Sequence, residues 1–309
     1  MRKKLGQILA WAVTIGLLCY VFRNISLPQI MAAFGSAAAW TIPALVLLVL
    51  GVYLGDCFAI WKTFGWFVAR LSFREVLVVR GATYLLALVN YTVGQGAIVY
   101  FVNRSRGVPL LRGTAAVLLV MGTNILLLLV FASIGMLIAP DLPPALRRIV
   151  LGAYVALAAY LVVLVLRPRW LTSRPIFDVL FAAGVSGHLR ALLVRVPHIS
   201  ILMVFSYASL RAFGVQLPVS QAILYLPIVY FIAVLPIAVM GLGTTQVAMI
   251  YFLSSYVPGA AHDPAKAAAA ITAASLGAQA VALAVQLTLG AFCMRNQLAR
   301  TLRQPASTA

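Results

Sequence analysis

The sequence predicts an all-α integral membrane protein, with about six full transmembrane helices and two re-entrant helical hairpins arranged as an inverted repeat. Three observations carry that expectation. Hydrophobic residues make up 64% of the 309, mean hydropathy is +1.06, and only 9% of residues are charged. A soluble domain carries roughly 25% charged residues, so a soluble enzyme of ordinary type is excluded. Six stretches also reach the ~20 apolar residues that a bilayer span requires. Finally, two further apolar regions are interrupted by glycine and proline where an ordinary span would continue.

The six spans fall at roughly 5–22, 40–61, 113–139, 149–166, 197–214 and 265–293. The first follows Met1-Arg2-Lys3-Lys4 and has the look of a signal peptide. The small-residue stretch Ser36-Ala37-Ala38-Ala39 lies far beyond it, so an uncleaved first span is expected. The first interrupted region, about 76–103, is broken by Asn90-Tyr91-Thr92-Val93-Gly94-Gln95-Gly96. The second, about 218–257, is broken by Pro236-Ile237-Ala238-Val239-Met240-Gly241-Leu242-Gly243. Glycine and proline interrupt helical hydrogen bonding, and the freed backbone groups must then be satisfied inside protein or by water.

Charge gives the topology. The chain carries 23 Lys and Arg against 5 Asp and Glu, a net +18. On a soluble chain such an excess would suggest nucleic acid. Between apolar runs it is a topology signal and an attraction to anionic lipid. If each interrupted region enters and leaves on one side, the N-terminus and segments 62–80, 104–112, 167–195 and 295–303 all face the same way. Together they hold 18 of the 23 basic residues, leaving Arg23, Arg147, Arg148, Arg211 and Lys266 on the other side. The positive-inside rule then makes that side cytoplasmic, with both termini, in a cytoplasmic (inner) membrane. The order of elements repeats: 1–139 is a first repeat with a cytoplasmic-side hairpin, 140–294 a second with an outer-side hairpin, and 295–309 a basic tail.

Paired glycine-interrupted segments in two halves point to a midplane binding site in a transporter. After Gly94-Gln95-Gly96 and after Gly241-Leu242-Gly243 the chain is expected to enter a short helix whose N-terminus lies inside the membrane and favours an anion. Asn90, Thr92 and Gln95 would line the first helix start, and Pro236, Thr244, Thr245 and Gln246 the second. The same groups would equally serve as caps for the broken helices. Asp56 and Arg80 fall at matching depths and are expected to pair, as a coupling charge or as a helix-packing tie; intramembrane charge costs at least ~2.5–3.5 kcal/mol and usually has a partner or a role. Arg211, near the outer end of its span, is expected to reach for the interface. The segment 177–195, with Asp178, His188, Arg190 and Arg195, reads as an amphipathic helix on the cytoplasmic leaflet. Cys19, Cys57 and Cys293 are isolated in apolar runs, and His188, His198 and His262 are scattered, so no metal site and no cofactor is expected.

Two stretches resemble the transmembrane region of the lysylphosphatidylglycerol synthase family, whose members are described as flippase-like. They are Arg80…Asn90-Tyr-Thr-Val-Gly-Gln-Gly-Ala…Asn103-Arg-Ser-Arg-Gly-Val and Leu235-Pro-Ile-Ala-Val-Met-Gly-Leu-Gly-Thr-Thr-Gln-Val-Ala. Pro236, Gly96, Gly241, Leu242 and Gly243 match that family's pattern. Its charged positions do not carry over: Ala97, Tyr100, Thr245 and Gln246 stand where the family has Glu, Arg, Arg and Glu.

The resemblance implies a protein that handles or flips phospholipid or a lipid-linked headgroup. The expected function is therefore a flippase-like transporter rather than an enzyme, its site between the two hairpins and its partners membrane lipids with anionic headgroups. The alternatives are a secondary transporter of a small soluble solute, or a non-transporting membrane partner of a lipid-modifying enzyme. A homo-oligomer is also compatible with the sequence.

Overall fold

Most of the long apolar runs become long helices. The computed structural model describes residues 40–89, 91–139, 144–234 and 243–303, with isolated positions 15, 16, 19 and 28. The expected first span over 5–22 thus lies outside the described residues but for three positions. Among the described residues the regular structure is entirely helical. In chain order the helices are α1 (Thr41–Phe67), α2 (Phe73–Val89), α3 (Tyr91–Arg106), α4 (Leu110–Ile138), α5 (Pro144–Leu166), the single turn α6 (Arg169–Thr172), α7 (Asp178–Ala212), α8 (Val219–Val234), α9 (Thr244–Leu253) and α10 (Pro264–Arg303).

Among the described residues five stretches are long and apolar enough to cross a membrane: Thr41–Phe67, Leu110–Ile138, Leu146–Leu166, Pro175–Ala212 and Pro264–Arg295. They mark a membrane-embedded protein and coincide with five of the six expected spans. The helix α5 makes the point most sharply. Only 11% of its most apolar stretch is buried in the protein, so an apolar surrounding must cover the rest. Trp40 before α1 and Trp170 after α5 are both 71% exposed, as residues of an interfacial aromatic belt are.

One expected element is corrected. The segment 177–195 does not form a surface helix separate from a span at 197–214. Asp178–Ala212 is two helical segments joined at a kink at Gly184, where φ is 57° and ψ −171°, and the second runs on from 185 to Ala212. Pro197, at the start of the expected span, lies inside α7. Proline in a helix interior removes one hydrogen bond, a loss that membrane helices repay through neighbouring groups.

The two interrupted regions each become a pair of short helices. At 1.5 Å per residue, α2, α3 and α8 rise about 24–26 Å and α9 about 15 Å, short of the ~30 Å hydrocarbon core. The chain divides into two compact units. One comprises 1–49, 128–147 and 201–282, and contains the pair α8–α9. The other comprises 50–127, 148–200 and 283–309, and contains the pair α2–α3. The first unit's core gathers Leu210, Leu217, Leu226, Leu253 and Ile271. That of the second gathers Cys57, Phe64, Val102, Leu119 and Val179.

Candidate functional site

Asp56 lies in the middle of α1, 2% exposed among apolar neighbours. Its Oδ2 accepts a hydrogen bond from Arg80 Nε of α2 at 2.5 Å, so the expected pair is present. Its Oδ1 accepts from Arg195 Nη1 of α7 at 2.6 Å. Both carboxylate oxygens are thus held by guanidinium groups, one from each of two other helices. Arg195 also donates from Nε to Asn124 Oδ1 of α4 at 3.2 Å. The Arg80 guanidinium carbon stands 5.1 Å from the centre of the Tyr84 ring, within the range of a cation–π contact.

The local sequence explains why these helices come so close. Gly55 precedes Asp56, and a Cβ placed there would lie 2.8 Å from the Cα of His198. The backbones of α1 and α7 therefore meet at Gly55, which brings Arg195, one turn before His198, within reach of Asp56. His198 strengthens the contact by donating from Nδ1 to the Val52 carbonyl at 2.9 Å. Gly81 of α2 leaves room for a neighbouring side chain. A Cβ there would lie 2.5 Å from Cys293 Sγ of α10. Tyr53 OH, donating to the Leu77 carbonyl, ties α1 to α2 one turn before Arg80.

Two cations and one carboxylate leave the cluster with a formal charge of +1 inside apolar helices. Charge-assisted hydrogen bonds of this length are the strong ones. The arrangement suits an anion: it presents fixed, permanently charged donors in a region of low dielectric. Arg195 was expected at the lipid surface; instead it is 6% exposed and belongs to this cluster. The sequence conceals it because the basic residues of 167–195 sort together as a cytoplasmic-side group. The apolar run Leu192-Leu193-Val194 before Arg195, and Val196 after it, is the signal that marks it as intramembrane.

The glycine-rich segments turn out differently from each other. In the second unit, α3 begins at Tyr91, so Gly94 and Gly96 lie inside a helix and do not precede its start. Gly94 is a packing glycine, since a Cβ there would be 2.8 Å from the Cα of Ala87 of α2. Gly96 faces open space, with nothing within 4 Å. Gln95 is half-buried on the same helix. Asn90 lies outside the described residues, as does the side chain of Thr92. The far ends of α2 and α3 are joined by Arg106 Nη2 donating to Glu75 Oε1 at 2.7 Å. Glu75 also accepts from the Ser72 backbone N–H at 2.7 Å, while Ser72 Oγ accepts from the Glu75 N–H at 3.2 Å, a reciprocal capping box.

In the first unit the expected helix start is present. Gly243, at φ 83°, immediately precedes α9. Gln246 Oε1 accepts from the Gly243 N–H at 2.7 Å with the Gln246 side chain fully buried, so this glutamine serves as a cap. Thr244 is buried and Thr245 half-buried beside it. Pro236, Gly241 and Leu242 lie outside the described residues. The chain leaves α9 close to where it entered α8, because Gln216 N–H donates to the Tyr256 carbonyl at 2.8 Å. Tyr225 of α8 and Phe252 of α9 stack at 5.2 Å between ring centres. A cleft of about 740 Å³ at this end is lined by Gln216, Ser254, Tyr256, Gly259 and His262 among others, with no charged side chain.

Among the described residues no three His, Cys, Asp or Glu side chains gather as a metal ion would need. Neither the protein-family models nor the curated proteins contain a match to this chain. The function is therefore argued from the site.

Proposed function

We propose that this chain is a flippase-like transporter of the cytoplasmic membrane, moving a lipid by its anionic headgroup. The observation that carries the reading is the buried Asp56–Arg80–Arg195 cluster, formed by α1, α2 and α7. Ionisable groups within apolar spans are costly, pair with one another, and mark substrate and ion pathways. One pair of opposite charges ties two helices; the second arginine ties a third and leaves an excess positive charge that suits a headgroup phosphate.

In this reading the pairs α2–α3 and α8–α9 are re-entrant elements of an inverted repeat. Their described lengths, 17, 16, 16 and 10 residues, support that, since a bilayer span takes about 20. So does the way each pair is closed at its two outer ends, by Glu75–Arg106 in one and Gln216–Tyr256 in the other. The resemblance of segments 80–108 and 235–248 to the lysylphosphatidylglycerol synthase transmembrane family fits the same reading.

The test is purified protein in vesicles of phosphatidylglycerol and phosphatidylcholine, following the loss of a labelled anionic lipid from the inner leaflet. Protein-containing vesicles should exchange it faster than empty ones. Equal rates, with protein shown to be folded and inserted, overturn the reading.

A further inference from the structure

We propose that Arg80 and Arg195 form a binding site for a phosphate-type oxyanion, and that Asp56 is the displaceable stand-in that occupies it at rest. The inference rests on the reading of this cluster as an anion-handling site, and it adds what the site holds when empty and how the ligand enters. Each oxygen of Asp56 takes one guanidinium, at 2.5 and 2.6 Å, from two different helices. Two phosphate oxygens make the same pattern when they bridge two arginines. The carboxylate therefore already makes the bonds that an oxyanion would make.

Both guanidinium groups are also oriented by partners other than Asp56. Arg80 stands over the Tyr84 ring, and Arg195 is held by Asn124. They stay posed when the carboxylate swings away. The contact of α1 with α7 at Gly55 and the His198–Val52 hydrogen bond hold the helix itself, so only the Asp56 side chain has to move. The other described acids are engaged elsewhere: Glu75 with Arg106, Asp178 with Arg112, and Asp263 at the start of α10. A singly charged oxyanion brings the +1 cluster to neutrality, whereas a neutral ligand leaves it charged. Exchange of one oxyanion for another keeps both arginines paired throughout, and the displaced carboxylate stays beside the cluster, whose net charge the incoming oxyanion cancels.

The test uses the full-length protein in detergent and in nanodiscs, with inorganic phosphate and phosphatidylglycerol as probes. In wild type, phosphate raises the unfolding temperature more than chloride does at equal ionic strength. Asp56→Asn removes the competitor, so its phosphate affinity rises by about tenfold or more and its folded state becomes phosphate-dependent. A purely structural carboxylate would give a weakened protein with no gain in phosphate affinity, and that result overturns the proposal.

If Asp56→Asn does not fold even with phosphate, wild type is compared with Asp56→Asn/Arg195→Gln, which has the same net charge. Phosphate should stabilise wild type alone, and equal stabilisation of both overturns the proposal. Retention of phosphatidylglycerol over phosphatidylcholine in native mass spectra, displaced by phosphate, identifies a lipid headgroup. Phosphate binding without lipid retention identifies a soluble oxyanion. Neither probe binding to any variant overturns the site. Tighter binding by Asp56→Asn without lipid movement in vesicles keeps the site and removes the transport reading; lipid movement with unchanged binding does the reverse.

Discussion

The two short helical pairs close alike at their outer ends and differ in what they hold. In α2–α3 the ends are joined by a charged contact, and Arg80 places a guanidinium in a cluster of net positive charge. In α8–α9 the ends are joined by one backbone hydrogen bond, and the helix start at Gly243 is capped by the uncharged Gln246. The helix start, the feature that marks the more familiar anion site, has its first N–H taken by the protein itself. The charge that could hold an anion lies in the other unit, on side chains. A glycine pair therefore identifies a broken segment without saying whether that segment binds.

That contrast can be broken by substitution. The largest effect is expected at Asp56. In low-phosphate buffer Asp56→Asn leaves two buried guanidinium groups without their carboxylate, a loss of ~3–5 kcal/mol. Thermal unfolding in detergent should register it as a large drop, and an unchanged midpoint would show that the cluster is solvated and weakly coupled. Next come the glycines. Gly94→Leu must push α3 away from Ala87, at ~1–3 kcal/mol for overpacking, while Gly96→Leu meets open space and should unfold near the wild-type midpoint. If the two variants behave the same, the α2–α3 contact is misplaced. Gly243→Ala forces a side chain into positive φ, at about 1–3 kcal/mol, and should loosen α9 in hydrogen exchange more than it loosens α3.

The smallest effect belongs to Glu75. The Ser72 backbone N–H, with Arg106 beside it, holds the Glu75 carboxyl below its ordinary 4.5. A depressed value adds stability above the unfolded-state pKa, and that stability is lost as pH falls through the lowered folded value. Acid should therefore open the outer ends of α2 and α3 in wild type. Glu75→Gln should show less of that acid step, and an identical step in both would exclude Glu75 as its source.

Much of this architecture was legible before any coordinates. Apolar length alone placed five spans, because the bilayer fixes the length a helix needs. Depth matching paired Asp56 with Arg80. Arg195 escaped because the basic residues of 167–195 sort together as a cytoplasmic-side group. An arginine enters a membrane helix when neighbouring helices supply its partners, here Asp56 and Asn124. The start of α3 escaped for a related reason. Glycine is tolerated within membrane helices where another helix approaches closely, and Gly94 meets Ala87 in that way. No local pattern separates such a glycine from one that precedes a helix, as Gly243 does; only the partner helix decides.

Arg195, Asp56 and Arg80 are proposed to handle an anionic headgroup rather than only tie helices together. The most direct measurement is the initial rate of anionic-lipid movement in vesicles containing wild type, Arg195→Gln or Arg211→Gln, the last changing an exposed arginine on the same helix. Arg195→Gln should slow movement by about tenfold or more, with Arg211→Gln close to wild type. Movement at the wild-type rate in folded, inserted Arg195→Gln would contradict it.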